Sequence, residues 1–221
     1  MFRWLIKAVL LVVLAFYVAW GLALFALRTV NPPTTGVQIQ RRVESIFAHT
    51  KYTKRYTFVP LARIARELQH AVISAEDGRY YQHHGIDWDE LEKVAEASEQ
   101  NGELGRGAST LTQQLVKNLF FTTHRNPVRK VLEYTLAPMA DAILGKQRAL
   151  ELYLNVVEWG PPGIYGIEEG AEYHYGIPAA RLDREQSARL AAILPAPRRW
   201  KPLRMNDYSA VILGRMDKAG W

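Results

Sequence analysis

One stretch near the amino terminus restricts the chain more than any other. Ala8–Leu27 runs 20 residues without a charged side chain, with Arg3 and Lys7 before it and Arg28 after it. As a helix rising about 1.5 Å per residue, it is long enough to cross a hydrocarbon core of roughly 30 Å. The run is long for a secretory h-region, and no small-x-small cleavage pattern follows it, so a retained anchor is expected over residues 1–30. Arg3, Lys7 and the amino terminus favour a cytoplasmic start, although Arg28, Arg41 and Arg42 weaken the charge bias. With that segment set aside, a chain of 221 residues holds one well-buried domain, placed at 56–221, and is too short for two.

Between anchor and domain, residues 31–55 read as a linker and membrane-proximal segment. Asn31-Pro32-Pro33-Thr34-Thr35-Gly36 is a break. Val37–Phe58 mixes basic, aromatic and aliphatic residues without a clean period, and is read either as a headgroup-touching segment or as an irregular connection. Beyond it the periodicity is helical. Leu61, Ile64, Ala65, Leu68, Ala71, Val72 and Ala75 share one face of a helix that delivers Glu76 and Asp77 to its end. Asp87 with Glu90 resembles a capping box for a helix through about Ser98, and a mobile loop is expected over Gln100–Gly107. Asn126-Pro127 starts a further helix that Pro138 should kink or end. Arg148–Val157, a helix from Asp183 through Leu194 and Asp207–Lys218 complete the set, with a Pro/Gly turn at Gly160–Gly166. No strand alternation is strong, so the domain reads as mainly α.

The net charge of +6 and the pI near 9.5 point to an anionic partner: nucleic acid, acidic lipid and pyrophosphate all fit, but no nucleic-acid motif is present. The absence of cysteine excludes disulfides and thiol chemistry. The six histidines show no ligand spacing, since adjacent His83 and His84 cannot chelate one ion from a helix face. No metal site is expected.

The densest polar run is Gly105–Asn118, GRGASTLTQQLVKN. At helical spacing Ser109, Gln113 and Lys117 fall on one line, Thr110, Gln114 and Asn118 on the next, and Leu111, Leu115 and Leu119 on the core side. A merely solvated face would be rich in Glu, Lys and Arg. This one carries hydroxyls and carboxamides with one lysine, groups that suit an oxygen-rich or anionic ligand. The segment resembles the GxSTxTQQLxKN signature of peptidoglycan glycosyltransferases. Glu76–Gly85 (EDGRYYQHHG) is similar to that family's EDxxFxxHxG, with Tyr80 in the Phe position. Arg129–Glu133 matches RKxxE, Lys146–Asn155 (KQRALELYLN) resembles KxxILExYLN, and Gly163–Tyr175 and Glu185–Pro197 continue the order. The similarity covers most of Tyr56–Pro202. Two departures are Gly170, in place of an alanine, and His174-Tyr175, in place of an aromatic pair.

The resemblance implies a lysozyme-like lobe behind a single transmembrane helix. It also implies polymerisation of lipid II into glycan strands, with undecaprenyl pyrophosphate leaving and the donor anomeric carbon inverted. Glu76 carries over as the base and Glu133 as a second catalytic carboxylate near the donor's activated end. Lys117 and Arg125 match positions that meet the pyrophosphate. Ser109, Thr110, Gln113, Gln114 and Asn118 would line the cleft, with Arg129 and Lys130 sharing the face of Glu133. No cofactor is required, and a divalent ion on the pyrophosphate is compatible with the pattern. The chain ends soon after the last motif, as in the monofunctional form without a transpeptidase. The implied partners are lipid II, the growing strand, the membrane and other cell wall synthesis proteins. The implied place is the plasma (inner) membrane, with the domain on the outer, periplasmic side. Two other readings compete: a glycan-cleaving enzyme with carboxylates on a similar lobe, which needs no cations for a pyrophosphate, and a silent anchor that binds glycan strands or recruits synthases.

Overall fold

A computed structural model describes residues 2–101 and 109–221. The expected loop over Gln100–Gly107 lies mostly outside the described residues. Helices dominate: α1 (Phe2–Ala26), α2 (Gly36–Phe47), α3 (Arg66–Glu76), α4 (Trp88–Asn101), α5 (Leu111–Phe120), α6 (Pro127–Val156), α7 (Ile167–Tyr175), α8 (Arg184–Ile193) and α9 (Asn206–Lys218). The mainly α expectation is borne out. The described strands are a parallel pair of two residues each, β1 (Arg55–Tyr56) against β2 (Ile164–Tyr165), too short to leave an alternating pattern.

α3, α5, α6 and α8 supply the core. Leu68 and Val72, Leu115, Leu136 and Leu150, and Leu190 and Ile193 are fully buried in one cluster. The predicted Leu61–Ala75 helix is split. Leu61–Arg63 forms a tight 3₁₀ turn, Ile64 is extended, and the α-helix proper starts at Arg66. The apolar face is shared across the break, so periodicity alone could not locate it.

Pro138 does not end the first part of α6. The 30-residue element is two helical segments joined across a kink at Gly145, at φ 71° and ψ 163°, so the helix expected over Arg148–Val157 lies in its second segment. An interior proline loses one ladder hydrogen bond and crowds the carbonyl four residues before it, whereas a positive φ is a glycine position. The Ala137–Pro138 backbone has another use. Gly85, at φ 84°, lies so close to it that a Cβ would sit 2.6 Å from the Ala137 carbonyl oxygen. The glycine closing the EDGRYYQHHG segment is therefore what lets that loop lie flat on α6.

α1 is, among the described residues, the helix long and apolar enough to cross a membrane. Its second half does more than span. Tyr17 donates from its hydroxyl to Thr135 Oγ1 at 2.9 Å, the Trp20 ring meets Phe120 edge-on at 4.4 Å, and Leu24 is completely buried. Val18, Leu22 and Phe25, on the opposite side, stay exposed.

The segment after Asn31 is more ordered than its sequence suggested. Thr35 caps α2 by accepting from Gln38 N–H at 3.3 Å, and twelve residues of helix follow. The period was hidden because the face packed on the protein, apart from Val37, is polar. Gln38, Gln40 and Arg41 are buried while Ile39, Val43, Ile46 and Phe47 are exposed.

Candidate active site

Glu76 is the last residue of α3, and Asp77 is its C-cap. The buried Asp77 carboxylate accepts from His83 Nε2 at 2.9 Å and from the Leu111 N–H at 2.9 Å. It thus ties the loop after Glu76 to the start of α5. Thr110 reinforces the joint, donating its hydroxyl to the Gly85 carbonyl at 2.6 Å. Asp77 and His83 together brace this loop. Asp77, His83 and Asp87 form the one metal-compatible cluster among the described residues. Hydrogen bonds account for its arrangement, because Asp87 caps α4 through Glu90 N–H at 3.0 Å and faces Arg79 at 3.5 Å.

The polar run does not form a continuous helical face. Thr110 is the N-cap of α5, and Gln113 closes a capping box by accepting from the Thr110 N–H at 3.0 Å. Gln113 is fully buried and lines neither depression described below. Its expected place in the cleft is therefore corrected: a glutamine at N3 turns back to the cap instead of outward. Gln114 behaves as expected. Its Nε2 donates to Glu76 Oε2 at 2.7 Å, and its Oε1 accepts from the Tyr153 hydroxyl at 3.0 Å. That amide orientation is forced, because an ionised carboxylate only accepts. Asn118 donates back to the Gln114 carbonyl at 2.8 Å.

On α6 the second carboxylate is held tightly. Glu133 is 3% exposed, with Arg129 Nη1 at 2.6 Å and Lys130 Nζ at 3.4 Å. Lys130 also donates to Ser109 Oγ at 2.8 Å, which joins α6 to the residue before the α5 cap. Lys117 lies among these groups. Burial pulls its ammonium below the ordinary lysine range; Glu133 and Glu76 pull it back up, while Arg129 and Lys130 act in the same sense as burial. Lys117 therefore senses both carboxylates. Arg125 is not gathered with it. It stays exposed in the turn between α5 and α6 and lines neither depression.

Two depressions meet at this point. A trough of about 510 Å³ is lined by Arg41, Gln114, Lys117, Asn118, Tyr153 and the Pro195–Arg199 segment. A second, of about 630 Å³, is lined by Glu76, Ser109, Thr110 and Gln114 from one side and by Tyr208, Arg215 and Trp221 from the other. Gln114 borders both. Sequence reasoning missed Tyr153, although it falls inside the KQRALELYLN segment, and missed Arg41, whose guanidinium forks onto Glu158 at 3.0 and 2.9 Å. The α9 residues carried no motif signal.

The departures at Gly170 and His174 share one cause. A Cβ at Gly170 would lie 2.5 Å from Trp159 Cβ, and His174 Nε2 hydrogen bonds to the Trp159 carbonyl at 2.6 Å. Both accommodate the fully buried Trp159.

The helical lobe thus sets one carboxylate, Glu76, in a groove that adjoins a second groove lined by the partly buried Lys117. The transglycosylase family's sequence pattern matches residues 43–217, and the chain belongs to that family. Among its relatives, the biosynthetic peptidoglycan transglycosylase of Azoarcus sp. (strain BH72) is 39% identical over 98% of this chain and 96% of its own length. The protein of the same name from Pseudomonas fluorescens (strain Pf-5) is 38% identical over the whole of this chain and 89% of its own length. That from Rhodopseudomonas palustris (strain HaA2) reaches 48% identity over 64% of this chain.

Proposed function

We propose that the chain is a membrane-anchored peptidoglycan glycosyltransferase of cell wall biosynthesis, with lipid II as acceptor and the growing strand on undecaprenyl pyrophosphate as donor. The observation that carries this is the border at Gln114, where two depressions meet with Glu76 lining one and Lys117 the other. A hydrolase needs one occupied groove and a water; a transferase must hold two long substrates end to end. Glu76 takes the proton from the acceptor's sugar 4-hydroxyl. The oxygen attacks the donor's anomeric carbon from the face opposite the pyrophosphate, the glycosidic bond forms, and the C–O bond to the pyrophosphate breaks with inversion. Lys117 meets the charge that gathers on the leaving oxygens. Arg125, exposed in the α5–α6 turn, is assigned to the same pyrophosphate on the motif match alone. Glu133 fixes Arg129 and Lys130 and acts as a positioning group.

α1 is read as a retained single span, with the domain on the outer, periplasmic face of the plasma membrane, where both lipid-tailed substrates are confined. Purified full-length chain incubated with lipid II is expected to yield polymer that lysozyme digests. No polymer, together with cleavage of preformed glycan, would transfer the site to the glycan-cleaving reading. An inert chain that still binds glycan would support the silent anchor.

A further inference from the structure

Among the described helices packed on the domain, α2 is turned the wrong way round for water. Counting 100° per residue, Ile39, Val43, Ile46 and Phe47 fall within one arc of its circumference, and all four are exposed, Phe47 at 80%. The arc facing the protein holds one apolar residue, Val37, with Gln38, Gln40 and Arg41. An amphipathic helix against an aqueous solvent buries the apolar arc instead. This orientation is fixed. The Arg41 guanidinium grips the buried Glu158 carboxylate with two hydrogen bonds, and Gln40 donates to Thr123 Oγ1 at 2.9 Å while accepting from the Thr123 N–H at 2.7 Å. Rolling α2 to hide its apolar row would strip a buried ion pair.

What covers the row follows from where α2 is attached. The connection from α1 is pinned to the domain rather than loose: Arg148 donates to the Leu27 and Val30 carbonyls, Tyr56 to that of Pro32 and Lys54 to that of Pro33. The first residue of α2 is pressed on the end of α5, since a Cβ on Gly36 would lie 2.4 Å from the Phe121 carbonyl oxygen. Phe120 and Phe121, at that same end, hold the Trp20 ring of α1 at 4.4 and 5.9 Å. α1, the end of α5 and the start of α2 are thus one packed unit.

We propose that α2 is a second membrane contact, lying in the interfacial layer of the bilayer that α1 crosses, with Ile39, Val43, Ile46 and Phe47 among the upper acyl chains. The exposed Arg42 borders this row, placed for lipid phosphates. The inference rests on α1 being a retained span. Its consequence for the site is direct. α2 brings Arg41 to the trough wall, so the helix that touches lipid also sets the height of that wall above the lipid.

The chain has no cysteine, so a single introduced thiol gives a unique label. Ile46→Cys and Phe47→Cys, each carrying an environment-sensitive nitrobenzoxadiazole, are reconstituted as full chain in phosphatidylethanolamine–phosphatidylglycerol vesicles. Leu10→Cys reports the span, and Lys218→Cys, exposed on α9, reports water. The expected result is blue-shifted emission at 46 and 47, quenching by nitroxide-bearing lipids and several-fold weaker quenching by iodide than at 218. Labels at 46 and 47 as open to iodide as at 218, with position 10 shielded, overturn the α2 contact and leave the anchor standing. Position 10 open to iodide overturns the anchor, and the α2 proposal with it. Shielding at 46 and 47 that disappears on dilution into excess lipid means that a second copy covers the row, and this also overturns it.

Discussion

Gln114→Met is the most informative single change in the site. Methionine keeps nearly the same length and volume but removes the amide N–H that points at Glu76 Oε2 from 2.7 Å. A hydrogen bond to a charged group contributes about 1.5–3 kcal/mol, and about 1.4 kcal/mol corresponds to one pKa unit. The bond favours the ionised carboxylate, so its loss raises the Glu76 pKa, here by about 1–2 units. The base works ionised, so the acid limb of kcat/KM against pH should move to higher pH by that amount. Tyr153→Phe is the graded control. It leaves the Nε2 donor in place and only frees the amide that the tyrosine hydroxyl holds at 3.0 Å. A neutral hydrogen bond is worth about 0.5–1.5 kcal/mol, so the limb should move by about one unit or less. The assay is the initial rate of polymerisation of fluorescent lipid II across pH, with thermal unfolding as a folding control. A Gln114→Met profile that superimposes on the parent's would refute the coupling and return Gln114 to an ordinary groove residue.

Glu76→Gln should lower polymerisation by about 10²–10⁴-fold while lipid II analogues still bind in titration; an active variant would move the base elsewhere. Lys117→Ala and Arg125→Ala should each depress turnover with folding preserved. Because the Lys117 pKa is lowered by burial, its charge is lost at lower pH than for an ordinary lysine. Lys117→Arg should therefore be slower at neutral pH yet lose the alkaline limb of the rate profile, and an unchanged limb would count against Lys117 as the titrating cation. Arg41→Ala leaves Glu158 buried without its fork, and denaturant titration in detergent should show a loss of about 3–5 kcal/mol. A cost under about 1 kcal/mol would mean that the pair is effectively solvated.

Glu76, Glu133, Lys117 and Gln114 were legible through the resemblance of their motifs to the family's, since spacing alone would equally fit solvated helix ends and faces; the structure brings Gln114 onto Glu76 and sets Lys117 between the two carboxylates. Gln113 was misread for a specific reason: a capping box and a polar face use the same residue types, and only the backbone tells which turn comes first. α2 was lost because periodicity analysis looks for an apolar face with a polar remainder and assumes the apolar side is the packed one. The kink or end of α6 was expected at Pro138 on propensity, whereas the non-helical backbone is at Gly145, a position of positive φ. Tyr208, Arg215 and Trp221 reach the Glu76 side of the site from the far end of the chain, a closure that local pattern cannot reveal.

The packing of the partly buried Tyr17 and Trp20 and the buried Leu24 on the domain gives α1 two trades at once. A chain trimmed at residue 28 to make it water-soluble would lose the cover over Phe120, Phe121 and Met139, which pack beside Trp20 and Gly21. Its exposed apolar surface would then join that of α2 and favour self-association in plain buffer. Preparations that keep α1 and its detergent belt therefore retain part of the domain's own core, and a heterologous span grafted before Arg28 would restore insertion without restoring that packing.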